Sequence, residues 1–175
     1  MNLFMPFPDI KRSVESLDDR RLNKQILECY QIHRVAMGAS EGYKNHPIVA
    51  FYINNHKFVS DYGYYCCLEY TYRTGKQHKY NDYFEAYYNT PHSVLRSLIF
   101  TKDNDIFYAE YSKNDPRCIR ITENKEVCRL YRKKLCNKWD SDSKKQCDAC
   151  WTHREVPDFY LQHRSAIEQM KLMNW

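Results

Sequence analysis

SLDDRRLNKQILECYQIHR, residues 16–34, decides how the rest of the chain is read. Ser16 stands where a helix N-cap belongs, and Asp18 and Asp19 follow in the first turn, where negative charge suits the helix dipole. Leu22, Ile26, Cys29, His33 and Ala36 then recur at steps of three and four, which is the apolar stripe of a helix running to about Met37 and closed by Gly38. Arg21, Lys24, Glu28 and Gln31 recur at the same steps on another face, placing one carboxylate one turn from Lys24 and two turns from Arg21. Leu27 and Ile32 flank that polar row, so the face is expected to be partly covered, and a carboxylate and an amine in a partly dry place shift each other's protonation.

Working outward, residues 1–12 read as an extended arm, since Pro6 and Pro8 oppose a helix. Downstream, Pro47 opens a second long helix predicted to reach Arg73, with Gly75 past its end. Its seam is Val49, Tyr52, His56, Val59, Gly63, Cys66 and Tyr70. A polar, Tyr-rich loop follows, with a short helix around Asp82–Tyr88. Further helices are expected from Thr90-Pro91 to Phe100 and over Asp105–Tyr111. Beyond Asp115-Pro116 a basic helix over Glu123–Cys136 is acidic at its start and cationic at its end. A Cys-bearing loop and a last helix over Asp158–Met173 complete the chain, with little strand signal beyond Cys118–Ile121. The expected fold is all-α: a compact helical bundle of two long helices and shorter ones over residues 1–115, with a basic, Cys-rich helical extension, residues 116–175, packed on it.

Composition narrows the classes. A hydrophobic share of 43% supports a core, and only 4 Gly and 6 Pro in 175 residues exclude fibrous repeats. No apolar run approaches the roughly 18 residues of a membrane span, and Met1–Ser13 does not read as a secretory signal. A net charge of +5 permits a polyanionic partner without demanding one. Across Thr122–Arg154 basic residues outnumber acidic ones nine to five, with Tyr131, Trp139 and Trp151 interleaved, a pattern that suits phosphates and bases as well as a solvated helix with packing Trp. The tyrosines over Tyr62–Tyr88 read as packing.

Eight cysteines without a signal sequence point to a reducing, intracellular compartment, cytoplasm or nucleus. Cys29, Cys66 and Cys67 fall in helical seams and read as small core residues. Cys147 and Cys150 have the C-x-x-C spacing of half a zinc site, with Cys136 and His153 as candidate further ligands for a structural zinc. Reduced, non-ligating thiols are the alternative reading.

The pattern Leu17, Asp18, Arg21, Leu22, Lys24, Gln25, Glu28 and Gln31, followed by Asn45-His46-Pro47, resembles the pyrimidine-dimer DNA glycosylase family related to phage endonuclease V. The start MNLFMPFPD is similar to that family's short arm, and Arg96-Ser97 with Lys102-Asp103 is a weaker third match; the resemblance covers residues 1–112. It implies an all-α, monomeric enzyme that excises damaged or modified pyrimidines from double-stranded DNA, needs no cofactor for catalysis, and has AP-lyase activity. The N-terminal α-amine would attack C1′ to form an imine, with Glu28 assisting ring opening and strand cleavage. Asn2 is larger than methionine removal favours, so the amine is that of Met1 or of Asn2 exposed by processing, with Lys24 a third candidate. Arg21, Gln25, Gln31, His46 and Arg96 would contact substrate or DNA. The alternative is a non-catalytic nucleic-acid-binding protein that keeps the fold.

Overall fold

The computed structural model describes residues 3–90 and 125–173. The described residues are helical and without strands, as the periodicity predicts. Helices α1 (Ile10–Glu15), α2 (Asp19–Ala36), α3 (Pro47–Tyr52), α4 (His56–Thr74) and α5 (Asn81–Asn89) precede α6 (Lys125–Ser143) and α7 (Asp158–Met173). The helices expected over Thr90–Phe100 and Asp105–Tyr111, and the strand signal at Cys118–Ile121, lie outside the described residues.

The start of the chain departs from expectation. The arm is not extended through residue 12: Asp9 caps a helix from Ile10, accepting the Arg12 N–H at 2.7 Å. Ser16 is therefore the end of α1 and not the N-cap of α2, and its hydroxyl bonds back to the Ser13 carbonyl at 2.7 Å. Asp18 takes over as cap, its carboxylate accepting the Arg21 N–H at 3.1 Å. Two candidate caps two residues apart are equivalent in sequence; a short helix just upstream decides between them. At the other end, Gly38 takes φ 69°, with the Gly38 N–H on Val35 O (3.0 Å) and the Ala39 N–H on Arg34 O (2.8 Å), the double bond of a left-handed helix stop.

The second predicted helix is interrupted. A 3-10 turn, Ile53–Asn55, separates α3 from α4. A β-branched residue followed by two Asn has poor helix propensity, because Asn offers the backbone competing bonds. The end at Gly75, φ 67°, is as expected.

The described chain divides into two compact units that do not follow chain order. One takes residue 3 with residues 22–90, the other residues 4–21 with 125–173, so the boundary falls inside α2. In the first, Ile26, Cys29 and Ile32 of α2, Val49 and Tyr52 of α3, Val59, Tyr62, Cys66 and Cys67 of α4 and Phe84 of α5 are buried, with Leu3. Here α4 meets α5 closely: a Cβ on Gly63 would lie 2.4 Å from the Phe84 ring, so only glycine permits the approach. The core of the second unit contains Phe4, Met5, Val14, Leu17, Leu135 and Trp139. Trp139 packs its ring against Trp151, Phe159 and Tyr160 at centroid distances of 5.1, 5.8 and 4.8 Å.

Candidate active site

Along α2, Arg20, Lys24 and Leu27 are exposed, while Glu28 of the polar row is buried. Glu28 is only 7% exposed. Gln25, one turn earlier and also buried, donates its amide N–H to Glu28 Oε2 at 3.0 Å. Tyr62 of α4 donates its hydroxyl to Gln25 Oε1 at 3.4 Å, so the amide is oriented from the neighbouring helix. On the other carboxylate oxygen, Lys24 Nζ stands 3.9 Å away at the end of a side chain 65% exposed. A carboxylate is thus held by a fixed, oriented amide on one side and approached by an exposed ammonium on the other. Such a group accepts and returns protons, and its charge stabilises a cationic centre brought beside it.

Sequence reasoning read Gln25 as a substrate contact; in the structure it is a buried partner that orients Glu28. Tyr62, read as packing, is the residue that reasoning missed as part of this network: its place on the seam of α4 is visible in the spacing, while the bond to Gln25 is not. Gln31 lies half-buried farther along α2. His46 caps α3, its Nδ1 accepting the Ile48 N–H at 3.2 Å, which leaves the ring's other edge to act on a substrate.

Arg21 is placed otherwise. It belongs to the second unit, 11% exposed, with one guanidinium nitrogen 3.5 Å from Asp18 and another paired to Asp142. A phosphate would have to displace Asp142 to reach it. Met1, Asn2 and Arg96 lie outside the described residues; Leu3 is completely buried in the unit that contains Glu28.

Deeper in the first unit, His33 shares a 2.7 Å hydrogen bond with the Tyr83 hydroxyl, and its Nε2 is buried without a hydrogen-bond partner among the described residues. Burial, then the neighbouring His56 and Lys57, lower its pKa to about 3, so it is a neutral core histidine. The tyrosines pack as read: Tyr30 stacks on Tyr80 at 4.0 Å and Tyr64 on Tyr88 at 4.4 Å.

The candidate zinc ligands are not gathered. Among the described residues no group of three or more His, Cys, Asp or Glu side chains is disposed to hold a metal ion. Cys136 is buried in α6, its thiol 3.9 Å from the Phe159 carbonyl and pushed up to about 11 by burial, whereas Cys147 and Cys150 are exposed. The loop carrying them has another task. Cys150 O accepts the Asp19 N–H at 2.8 Å, Trp151 Nε1–H donates to Ser16 O at 3.1 Å, and the Thr152 hydroxyl donates to Asp19 Oδ2 at 2.6 Å. Cys29, Cys66 and Cys67 are core residues, and burial raises all three thiols, Cys67 to about 12.

The first unit thus holds a buried carboxylate, Glu28, between an oriented amide and an exposed amine. The family model described as pyrimidine dimer DNA glycosylase matches residues 1–83, the stretch that contains Lys24, Gln25, Glu28, Gln31, His46 and Tyr62. That part of the chain carries the family's sequence pattern, and a glycosylase of this family acts on DNA. The match ends before Arg96 and does not reach α6 or α7. Comparison with curated proteins and with solved structures gives no significant match. No described helix is long and apolar enough to cross a membrane.

Proposed function

We propose that the chain is a DNA glycosylase with AP-lyase activity, excising damaged or modified pyrimidines from duplex DNA through an imine, with Glu28 as the acid–base residue. The observation that carries this reading is the Glu28 environment: a buried carboxylate held at 3.0 Å by Gln25 and reached at 3.9 Å by Lys24, inside the segment the family model matches.

The chemistry divides between an amine and that carboxylate. A neutral amine attacks C1′, the C1′–N bond breaks, and the base leaves with its electron pair. Ring opening then gives the imine. An α-amine titrates near 8 against about 10.4 for an ordinary lysine, so more of it is neutral at physiological pH. Glu28 stabilises the positive charge that develops at C1′ and then takes the C2′ proton for β-elimination. Gln25 and Tyr62 keep the carboxylate aimed; Gln31 and His46 would contact the nucleotide.

Borohydride reduction of a mixture of the protein with damaged duplex DNA tests the reading. The expected result is a covalent protein–DNA adduct on at least one of cyclobutane dimers, oxidised pyrimidines, modified pyrimidines or abasic sites. Acetylating the α-amine alone should abolish it. An adduct that survives acetylation and maps to Lys24 moves the nucleophile to that residue, and the absence of any adduct overturns the imine mechanism.

A further inference from the structure

Within the second unit, a groove of about 550 Å³ runs between the arm with α1 and the segment leading into α7. The family match does not reach α6 or α7, and nothing in the proposed chemistry uses it. Its most unusual feature is at Phe7. The Arg12 guanidinium lies 4.1 Å from the Phe7 ring centroid, and the Arg132 guanidinium, arriving from α6, lies 5.9 Å from the same centroid. Two fixed positive charges are therefore within about 10 Å of each other. Neither side chain makes a hydrogen bond or ion pair among the described residues. A third arginine in the groove, Arg154, differs: it is matched by Glu15 at 3.3 Å.

A ring face attracts a guanidinium but satisfies none of its five N–H donors. Two guanidiniums near one ring leave a double set of planar donors beside a groove, and an anion that reaches both offsets their mutual repulsion. A carboxylate offers two oxygens to these two forks, whereas a phosphate offers up to four in a tetrahedron that two forks can share. We propose that this end of the groove binds a phosphate group. Glu155 and Asp158 line the groove as well, so it is the two arginines at Phe7, and not the rest of the lining, that would hold the anion.

The ligand is a phosphate of a nucleic acid backbone or a free phosphate, and two measurements separate these sources. In the first, inorganic phosphate is titrated into the full chain while the arginine Nε–Hε signals are followed by NMR. Saturable shifts of Arg12 and Arg132 are expected. Phosphate affinity, followed in all variants on the backbone amides of the groove, should fall tenfold or more in the pair Arg12→Gln/Arg132→Gln and persist in Lys133→Gln/Lys134→Gln, which removes as much charge from exposed positions outside the groove. No saturable response in the unaltered protein, or equal loss in both pairs, overturns the site.

The second measurement rests on the glycosylase reading: duplex binding as a function of salt. If the phosphate is the DNA backbone's, the slope of log K against log salt becomes shallower by about one in the arginine pair. An unchanged slope together with retained phosphate binding assigns the site to free phosphate. A chain that binds no duplex at all fails the glycosylase reading and leaves the phosphate titration to decide the groove. Melting curves of the variants check that their fold is intact, as expected for an exposed Arg12 and a half-exposed Arg132.

Discussion

Asp18 and Glu28 are both buried carboxylates of the same helical stretch, 1% and 7% exposed, and their surroundings put them to opposite uses. Asp18 accepts the Arg21 N–H, the Trp139 indole N–H and the Arg21 guanidinium, all from groups that are themselves packed. It has the partners a buried charge needs to remain folded, and nothing in that set is suited to exchange for a substrate. Glu28 is held on one oxygen by a fixed amide and faces on the other an ammonium whose stem is mostly in water. The first turn of the motif, Asp18 to Arg21, is tied to Trp139, Asp142, Cys150 and Thr152, whereas Glu28 keeps an exposed neighbour in Lys24.

The comparison is sharpest at Glu28. Glu28→Gln keeps shape and burial but removes the charge, so turnover on whichever lesion is cleaved should fall about 10²- to 10⁴-fold with binding retained. Single-turnover kinetics check this, and near-normal turnover would remove Glu28 from the mechanism. Asp18→Ala should do the reverse. It deletes a cap and strands the Trp139 indole and the Arg21 guanidinium, costing on the order of 3–5 kcal/mol of stability, read by denaturant unfolding. A protein so altered that is still folded should keep its rate of chemistry; a selective loss of turnover at unchanged stability would break the distinction between the two carboxylates.

A third test concerns pH. His33 has a folded pKa near 3, below the usual 6.5, so between these values the unfolded chain binds the extra proton. Its contribution is complete above about pH 6.5 and is lost progressively as pH falls toward 3. Unfolding free energy should therefore rise with pH across that window, by on the order of 4 kcal/mol for the whole shift. His33→Leu should flatten the slope, whatever it does to stability at neutral pH; an equal slope in the variant would relocate the titrating group. The smallest effect is expected at Gly63. Gly63→Ala drives a methyl into the Phe84 ring and should cost roughly 1–3 kcal/mol, with partial recovery on adding Phe84→Leu.

Spacing exposes α2, which carries a periodic stripe and a usable stop at Gly38, and the expected ranges for α5 and α7 also hold, the last over Asp158–Met173 as read. The break at Ile53–Asn55 was missed because Val49, Tyr52, His56 and Val59 keep helical spacing straight through it. A one-turn change to 3-10 geometry hardly disturbs such a pattern. Cys136, Cys147, Cys150 and His153 are not gathered for a related reason. Short-range spacing describes what a loop is able to ligate, while Cys136 packs against Phe159, 23 residues on, and Cys150 and Thr152 dock on Asp19, more than a hundred residues away.

Local chemistry wrote the helices, the core cysteines and the row that holds Lys24, Gln25 and Glu28, since these follow from periodicity and neighbours within a turn or two. Folding in three dimensions chose among candidates: that Asp18 and not Ser16 caps α2, which of Arg21 and Lys24 is left exposed, and that Tyr62 bonds Gln25 beside the carboxylate. Those choices rest on contacts between segments far apart in the chain, and such contacts leave no periodic trace for a linear reading to find.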